Sequence, residues 1–379
     1  MSNRFIRKRV LFVINSLAGG GAERVLLELI GASHRFANDY DFSLALLDDE
    51  KREYTPPKWL KIHQLDSRRG LIRSTRELHR LLRTLRPDVS LSFLTRANFA
   101  SVVGARMLGH RAIISERVNT SGHFLRGPSA AVSKLLVRLI YPAADKVIAV
   151  SEGIAEDLVT NFKVPRDKLL TIPNPVDMNR IIAASAEISE RKFDYPFAVA
   201  VSRLTNTKNV MLLVEALATS GLALPLVILG QGPEYETIQN RVHALGLNQQ
   251  VQMLGFVPNP YPIMASATCY LSGSNAEGFP NGLVEALALG KSVVATNCPS
   301  GPSEILFNRR REEITGLHVG DIGILVPQND IKAMANAIRL AVDEERVVAS
   351  TIAGPRRASD FGVETATNQY WQAIESVVK

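Results

Sequence analysis

The chain reads as an α/β protein with mostly parallel strands, divided into two successive units. Three observations carry this. Short apolar runs alternate with helical patterns from end to end, and 379 residues exceed the usual core of one domain. The alternation is broken once, by the polar stretch from Ile188 to Tyr195 with Ser189, Glu190, Arg191, Lys192 and Asp194. With 46% hydrophobic and 21% charged residues, the chain can bury two sizeable cores.

In the first unit the pattern predicts strands near 9–15, 41–47, 60–65, 88–93, 111–115, 146–150 and 169–173. The second unit begins at Pro196, with strands near 197–202, 225–229, 251–256, 267–272, 292–296 and 323–326. A helical pattern from Asp330 to Ala349 is followed by the break Gly354-Pro355, and a last helix is predicted roughly over Val363 to Val378. The expected division is residues 1–190, residues 191–355 and a terminal helix in 356–379.

Glu277 to Glu285 is the most informative stretch, because it sets two carboxylates eight residues apart around a predicted strand-to-helix turn. Pro280 or Asn281 opens the helix, whose apolar stripe is Leu283, Ala286, Leu287 and Leu289. Unpaired N–H groups at such a start favour a diphosphate, and carboxylates beside them accept from sugar and ribose hydroxyls. The same residues also suit an ordinary helix start, where Glu is favourable with the dipole.

A second cluster follows the apolar strand Phe197 to Ser202, where Arg203 and Lys208 share one βα loop. Ligands gather at the carboxyl ends of strands in open α/β sheets, so these cations are placed to neutralise a leaving diphosphate, or are simply surface charges. Gly19, Gly20 and Gly21 follow the strand Val10 to Ile14, and Gly230 and Gly232 follow Pro225 to Leu229. Both loops allow close backbone approach to a ligand, although neither has the full dinucleotide spacing.

Taken together these marks resemble the family 4 retaining glycosyltransferases, over almost the whole chain. The further motifs are Ser151-Glu152-Gly153, Ile172 to Asp177, and Cys298 to Glu304. The resemblance implies the GT-B architecture: two Rossmann-like doubly wound domains facing across a cleft, the last helix crossing back to the first. It implies an acceptor-binding first domain that touches the membrane and a nucleotide-sugar-binding second domain. The form Glu277-Gly278-Phe279-Pro280-Asn281 looks most like bacterial enzymes that extend lipid-linked oligosaccharides from UDP-hexose or UDP-N-acetylhexosamine.

The expected donor site is then Gly19, Gly20, Gly21, Gly230, Gly232, Gly278, Phe279, Pro280, Asn281, Gly282, Leu283 and Glu285, with Arg203, Lys208 and Glu277 catalytic. Glu277 would hold sugar hydroxyls, Glu285 the ribose, and the leaving phosphate would accept the acceptor's proton. Many relatives carry a His after the strand at 111–115, where this chain has Ser115-Glu116-Arg117-Val118-Asn119. Glu116, Arg117 and Asn119 are therefore acceptor-side or donor-sugar candidates, against an ordinary solvated loop. Glu304 either touches the donor or caps a short helix.

Charge is uneven. Residues 1–190 hold 29 Lys and Arg against 20 Asp and Glu, whereas residues 191–379 hold 15 against 17. Within residues 52–86, Arg69, Arg73, Arg76, Arg80 and Arg83 recur at helical spacing. Such a stripe suits anionic headgroups at roughly 1 kcal/mol per cation near the surface, or is a solvated face. Residues 124–141 form a second amphipathic basic segment with Phe124, Leu125, Arg126, Lys134, Leu135, Arg138 and Leu139. Nucleic acid is a poor fit, since the basic region lacks interleaved aromatics.

Two cysteines, Cys269 and Cys298, fit a reducing cytosol, and no apolar run approaches the ~20 residues of a spanning helix. The expected place is the cytoplasm, peripheral to the inner face of the membrane. Without an Asp-x-Asp motif at a strand end or a His cluster, cations are expected to do the electrostatic work of a metal, with no cofactor. A glycoside hydrolase would use the two carboxylates but leave Arg203, Lys208 and the glycine loops without a purpose. A UDP-sugar epimerase or a non-catalytic nucleotide-sugar binder stays open as the alternative.

Overall fold

The computed structural model describes residues 7–123, 128–189 and 191–378. Phe124, Leu125 and Arg126 of the second amphipathic segment, and Glu190 of the polar stretch, lie outside the described residues. The chain forms two compact units, Met1–Pro175 with Val363–Lys379, and Val176–Gly362.

The first unit is a seven-stranded sheet of β1 (Lys8–Ile14), β2 (Tyr40–Leu46), β3 (Lys61–Gln64), β4 (Val89–Phe93), β5 (Arg111–Glu116), β6 (Lys146–Ala149) and β7 (Leu169–Thr171). Its order is β3-β2-β1-β4-β5-β6-β7, and every pair is parallel. Parallel strands are joined by helices that cover both faces, which is why Val10–Ile14 and all of β4 are buried without alternation. The order reverses between β1 and β4, so the loops after these strands diverge and leave a crevice at the carboxyl edge.

The second unit repeats the plan with β8 (Ala198–Val201), β9 (Leu226–Leu229), β10 (Val251–Gly255), β11 (Cys269–Ser272), β12 (Ser292–Thr296), β13 (His318–Val319) and β14 (Ile324–Val326). The order is β10-β9-β8-β11-β12-β14-β13, again reversing beside the first strand, between β8 and β11. The edge strand β13 alone runs antiparallel. Its two residues carry no periodicity, so the sequence does not predict it.

Helices obey their apolar spacing. In Leu71–Leu85, Ser74, Leu78 and Leu82 are buried at four-residue intervals, and Arg73, Arg76, Arg80 and Arg83 face out. Ser151 caps Glu152–Phe162 by accepting from the Ile154 N–H, and Asp177 caps Met178–Ser185 by accepting from Arg180. The pattern expected over Asp330 to Ala349 is two helices, Ile331–Ala341 and Glu344–Ser359, because Asp343 accepts from the Arg346 N–H and starts a new one.

Gly354 and Pro355 do not break that second helix. A Cβ on Gly354 would lie 2.8 Å from the Leu287 carbonyl oxygen, so the glycine marks a close helix crossing. The turn after Pro355 is held from outside, where Arg357 donates to the Glu304 and Ile305 carbonyls, both at 2.7 Å. The division between units falls after Pro175, whereas the polar stretch at Ile188 to Tyr195 had suggested residue 190. The reason is packing: Met178–Ser185 lies against Tyr261–Ser266 and Asn281–Ala288 of the second unit.

The terminal helix Val363–Val377 belongs to the core of the first unit. Trp371 is 2% exposed, stacks on Phe36 at 4.3 Å between centroids, and donates its indole N–H to Ser33 Oγ at 2.8 Å. Trp371→Ala is expected to destabilise the first unit by about 3–5 kcal/mol in urea denaturation, because it empties a closed pocket. Ile352→Ala, at a position 76% exposed, should change stability by less than about 0.5 kcal/mol and serves as the control.

Candidate functional site

At the carboxyl edge of the second sheet, the loops after β8 and β11 are laced together. The Asn275 N–H donates to the Thr207 carbonyl at 2.7 Å, and Asn275 Nδ2 to that of Asn206 at 3.2 Å. Asn209, in the left-handed region at φ +45°, donates from its amide to Asn329 Oδ1 at 3.0 Å. This lacing sets Lys208 against Glu277, whose two carboxylate oxygens lie 2.6 and 2.7 Å from the ammonium. Ser274 Oγ adds a third donor at 2.6 Å, and Ser300 Oγ holds the Glu277 carbonyl.

The sequence assigned Lys208 to a phosphate and Glu277 to a sugar, and the structure brings them together as an ion pair. The side chains are 23% and 9% exposed, so each charge stabilises the other where solvent is scarce. Arg203, one loop residue after Ser202, is exposed and makes no side-chain hydrogen bond or ion pair among the described residues.

The helix Asn281–Ala288 begins above the ends of β8 and β11. A Cβ on Gly282 would lie 2.5 Å from the Tyr270 hydroxyl and 3.8 Å from the Val201 carbonyl, so only glycine lets the helix start sit this low. Tyr270 donates to that carbonyl at 3.4 Å. Its phenol pKa is pushed up by burial first, then by the Glu277 and Glu285 carboxylates. Both members of the carboxylate pair therefore act on one buried hydroxyl. Cys298 is also close: burial pushes its thiol up to about 12, with Glu277 raising and Lys208 lowering it.

The other motif residues divide by role. Phe279 is buried edge-on against Phe361 at 5.3 Å, and Leu283 is fully buried, so these two side chains serve the core. Pro280 is buried against Gly301, which has φ +97° and opens the helix Pro302–Phe307. Glu304 takes the capping role, its Oε1 accepting from the Gly301 N–H at 3.4 Å. Gly278 and Asn281 flank this turn. Gly230, at φ +144°, and Gly232 fit against backbone: a Cβ would stand 1.8 Å from the Ser202 oxygen or 2.2 Å from the Leu204 oxygen. They seat their loop beside Arg203.

At the carboxyl edge of the first sheet, Gly19 takes φ +94°, Gly20 is the N-cap and Gly21 the first residue of Gly21–Ser33. Glu116 ends β5, Arg117 follows it, and both are buried, which excludes a solvated loop for them. The Glu116 carboxylate accepts from Tyr141 (2.5 Å), Thr95 (3.4 Å) and the N–H groups of Arg117 (3.0 Å) and Val118 (3.4 Å), while burial pushes its pKa up. Arg117 donates to Asn174 at 2.6 Å and Tyr370 at 3.0 Å and lies 4.9 Å from the Phe93 ring centre. Burial draws its pKa down, against Tyr370, Glu116 and Glu23, which raise it. Asn119 accepts from the Gly122 N–H at 2.8 Å and caps a short turn.

The sequence does not mark Ser274, Ser300 and Asn275, since serines and asparagines in loops carry no spacing signal, nor Tyr270, which reads as part of an apolar strand. Among the described residues no group of three or more His, Cys, Asp or Glu is clustered to hold a metal.

Residues 19–180 match the family model described as Glycosyltransferase Family 4, and residues 182–355 the one described as Glycosyl transferases group 1. The chain is 30% identical over 347 residues, 88% of its length and 90% of the relative's, to N-acetylgalactosamine-N,N'-diacetylbacillosaminyl-diphospho-undecaprenol 4-alpha-N-acetylgalactosaminyltransferase of Campylobacter jejuni. It is 23% identical, over 97% of its own length and 99% of the other's, to a second Campylobacter jejuni enzyme, an alpha-1,4-N-acetyl-D-galactosaminyltransferase that acts on a GalNAc-alpha-(1->4)-GalNAc-alpha-(1->3)-diNAcBac-PP-undecaprenol. Among solved structures, Anabaena HepE in complex with UDP superposes with a TM-score of 0.75 at 18% identity, covering 97% of this chain and 100% of that one.

Gly282→Ala is expected to cost about 1–3 kcal/mol by driving its methyl into the Tyr270 hydroxyl. Tyr270→Phe removes the obstructing oxygen, so the double variant should recover most of that loss in a thermal-unfolding double-mutant cycle. Additive losses would mean that the two residues do not touch.

Proposed function

The chain belongs to the family 4 glycosyltransferases and has their GT-B fold, and we propose that it moves a hexose or N-acetylhexosamine from a UDP-sugar to a saccharide carried on a polyprenyl diphosphate, with retention of anomeric configuration. The observation that carries this reading is the Lys208–Glu277 pair, just before the start of Asn281–Ala288, with Arg203 exposed in the same loop as Lys208. A diphosphate there gains the helix N–H groups and Arg203, and it competes with Glu277 for Lys208. The carboxylate so released accepts from donor-sugar hydroxyls, and Glu285 accepts from the ribose.

In the proposed reaction the bond from the anomeric carbon to the diphosphate oxygen breaks, and the acceptor oxygen bonds that carbon on the same face. The acceptor's proton passes to the departing phosphate. Negative charge gathers on that phosphate as the bond lengthens, where fixed cations and N–H groups stabilise it most. These cations stand in for a metal, and the reaction as proposed is metal-independent, with no cofactor. Gly230, Gly232, Gly278, Pro280, Asn281 and Gly282 bring backbone close to the donor. Glu116 and Arg117 act by holding the end of β5 rigid, and Gly19, Gly20 and Gly21 leave room at the neighbouring strand end.

Two surfaces of the first unit support a peripheral place on an anionic, cytoplasm-facing membrane. The helix Leu71–Leu85 turns Arg76 and Arg80 outward, and Pro128–Ile140 exposes Val132, Leu135 and Leu139 beside Arg138. Among the described residues no helix is long and apolar enough to cross a membrane. The two Campylobacter relatives carry lipid-linked acceptors in their names, which supports the same acceptor class here.

The test is release of free nucleotide from a panel of UDP-, GDP- and ADP-sugars, with and without a lipid extract. Lipid-dependent release from one UDP-sugar, with an α-linked product from an α-linked donor, is the expected result. Donor binding without release favours a non-catalytic binder, and conversion of the sugar without an acceptor favours an epimerase. Lys208→Ala and Glu277→Gln, checked for native circular dichroism, should each lower kcat by about 10²–10³-fold. Wild-type turnover in both variants removes the assignment.

A further inference from the structure

The amino edge of the first sheet lies at the opposite ends of the strands from the glycine loop, Glu116 and Arg117. Two recesses open along it and meet at Pro87. One, of about 450 Å³, is lined by Arg7, Arg9, Tyr40, Trp59 and Lys61, and the other, of about 640 Å³, by Arg83, Arg86, His110, Arg111 and Val378. Asp41 and Asp88 are the carboxylates of this lining, so cations outnumber them threefold.

Some of that charge is already used. Arg7 pairs with Asp41 at 3.2 Å, Arg111 with Asp145 at 3.0 Å, and Arg9 donates to the Leu85 carbonyl at 2.8 Å. Lys61, Arg83 and Arg86 are exposed and make no side-chain hydrogen bond or ion pair among the described residues. Arg83 and Arg86 close the helix Leu71–Leu85, where cations complement the helix carbonyls. That accounts for two of them and leaves Lys61, which opens β3, unexplained.

Trp59 stands in the same groove. It remains 41% exposed while packing on His34 at 4.7 Å and edge-on to Phe42 at 5.8 Å between ring centres, which fixes its indole in place. A large aromatic ring left open beside unpaired cations is suited to a ligand with apolar CH faces and regularly spaced anions.

We propose that this groove binds an acidic oligosaccharide, a pyranose ring lying on Trp59 and carboxylates reaching Lys61, Arg83 and Arg86. From the start of β3 to the start of β5 is four strand spacings, about 19 Å, which is room for several sugar rings. Single-stranded nucleic acid fits less well, because it needs successive stacking platforms and Trp59 is the one large aromatic exposed among the described residues of this unit. A flat bilayer cannot enter a recess. The proposal stands apart from the transferase reading, since no residue of the groove is among the donor-site residues.

The chain contains two tryptophans, and Trp371 is 2% exposed, so added ligands report through Trp59 fluorescence. The full chain is titrated with a short oligogalacturonate, a neutral maltooligosaccharide of equal length, a single-stranded oligonucleotide and inorganic phosphate. A saturable emission change with the oligogalacturonate alone is expected, weakened about tenfold or more in Lys61→Glu/Arg86→Glu, with nucleotide-sugar turnover unchanged in that variant. No saturable change, or equal binding by the neutral glycan, overturns the proposal. Tighter binding of the oligonucleotide assigns the groove to nucleic acid, and full competition by phosphate reduces it to a simple anion site.

Discussion

A lysine ammonium and a carboxylate held mostly out of water must neutralise each other, and in this protein that requirement ties two βα loops into one surface. Lys208 comes from the loop after β8 and Glu277 from the loop after β11, strands that are neighbours only because the sheet order reverses there. Asn275, Asn206 and Thr207 lace these loops around the pair, and Ser274 and Ser300 hydrogen-bond the carboxylate residue. Loss of either charge leaves the other unpaired in a site of low solvent content, which is the costly direction for such pairs.

The close approaches follow from the same constraint. Gly282 lets the helix Asn281–Ala288 descend onto Tyr270, and Gly230 and Gly232 let the loop after β9 press against the backbone after β8. Each removes a Cβ where another chain segment already stands. Glycines that look in the sequence like ligand-facing loops are therefore first required by the protein itself, and the backbone surface offered to a phosphate is a consequence. The first unit uses its carboxyl edge differently. Glu116 and Arg117 are buried in hydrogen bonds that join β5, Tyr141, Asn174 and the terminal helix, so this strand end is rigid and its charges are internal.

Periodicity located nearly all the strands to within two or three residues, because fully buried parallel strands are short apolar runs between helical patterns, and that signal is local. It failed where stability is not local. β13 is two residues long and exists because β14 offers it an edge. Gly354-Pro355 looks like a break, yet the helix continues because Arg357 is anchored on the Glu304 and Ile305 carbonyls. Polar composition at Ile188 to Tyr195 suggests the domain boundary, whereas Met178–Ser185 joins the second unit by packing.

From the sequence alone came the α/β class, the two-unit organisation, the basic bias of the first half and the family, since each depends on composition, period or motifs contiguous along the chain. Which charges meet was decided only by the tertiary structure. Lys208 and Glu277 lie 69 residues apart, and the sequence gives them separate roles. Phe279 and Leu283 sit inside the most telling motif and yet turn into the core, while Glu304 turns back to cap its own helix. The direction of a side chain depends on the backbone that carries it and the neighbours that fill its space, and these are set by strand order and helix seating rather than by residue type.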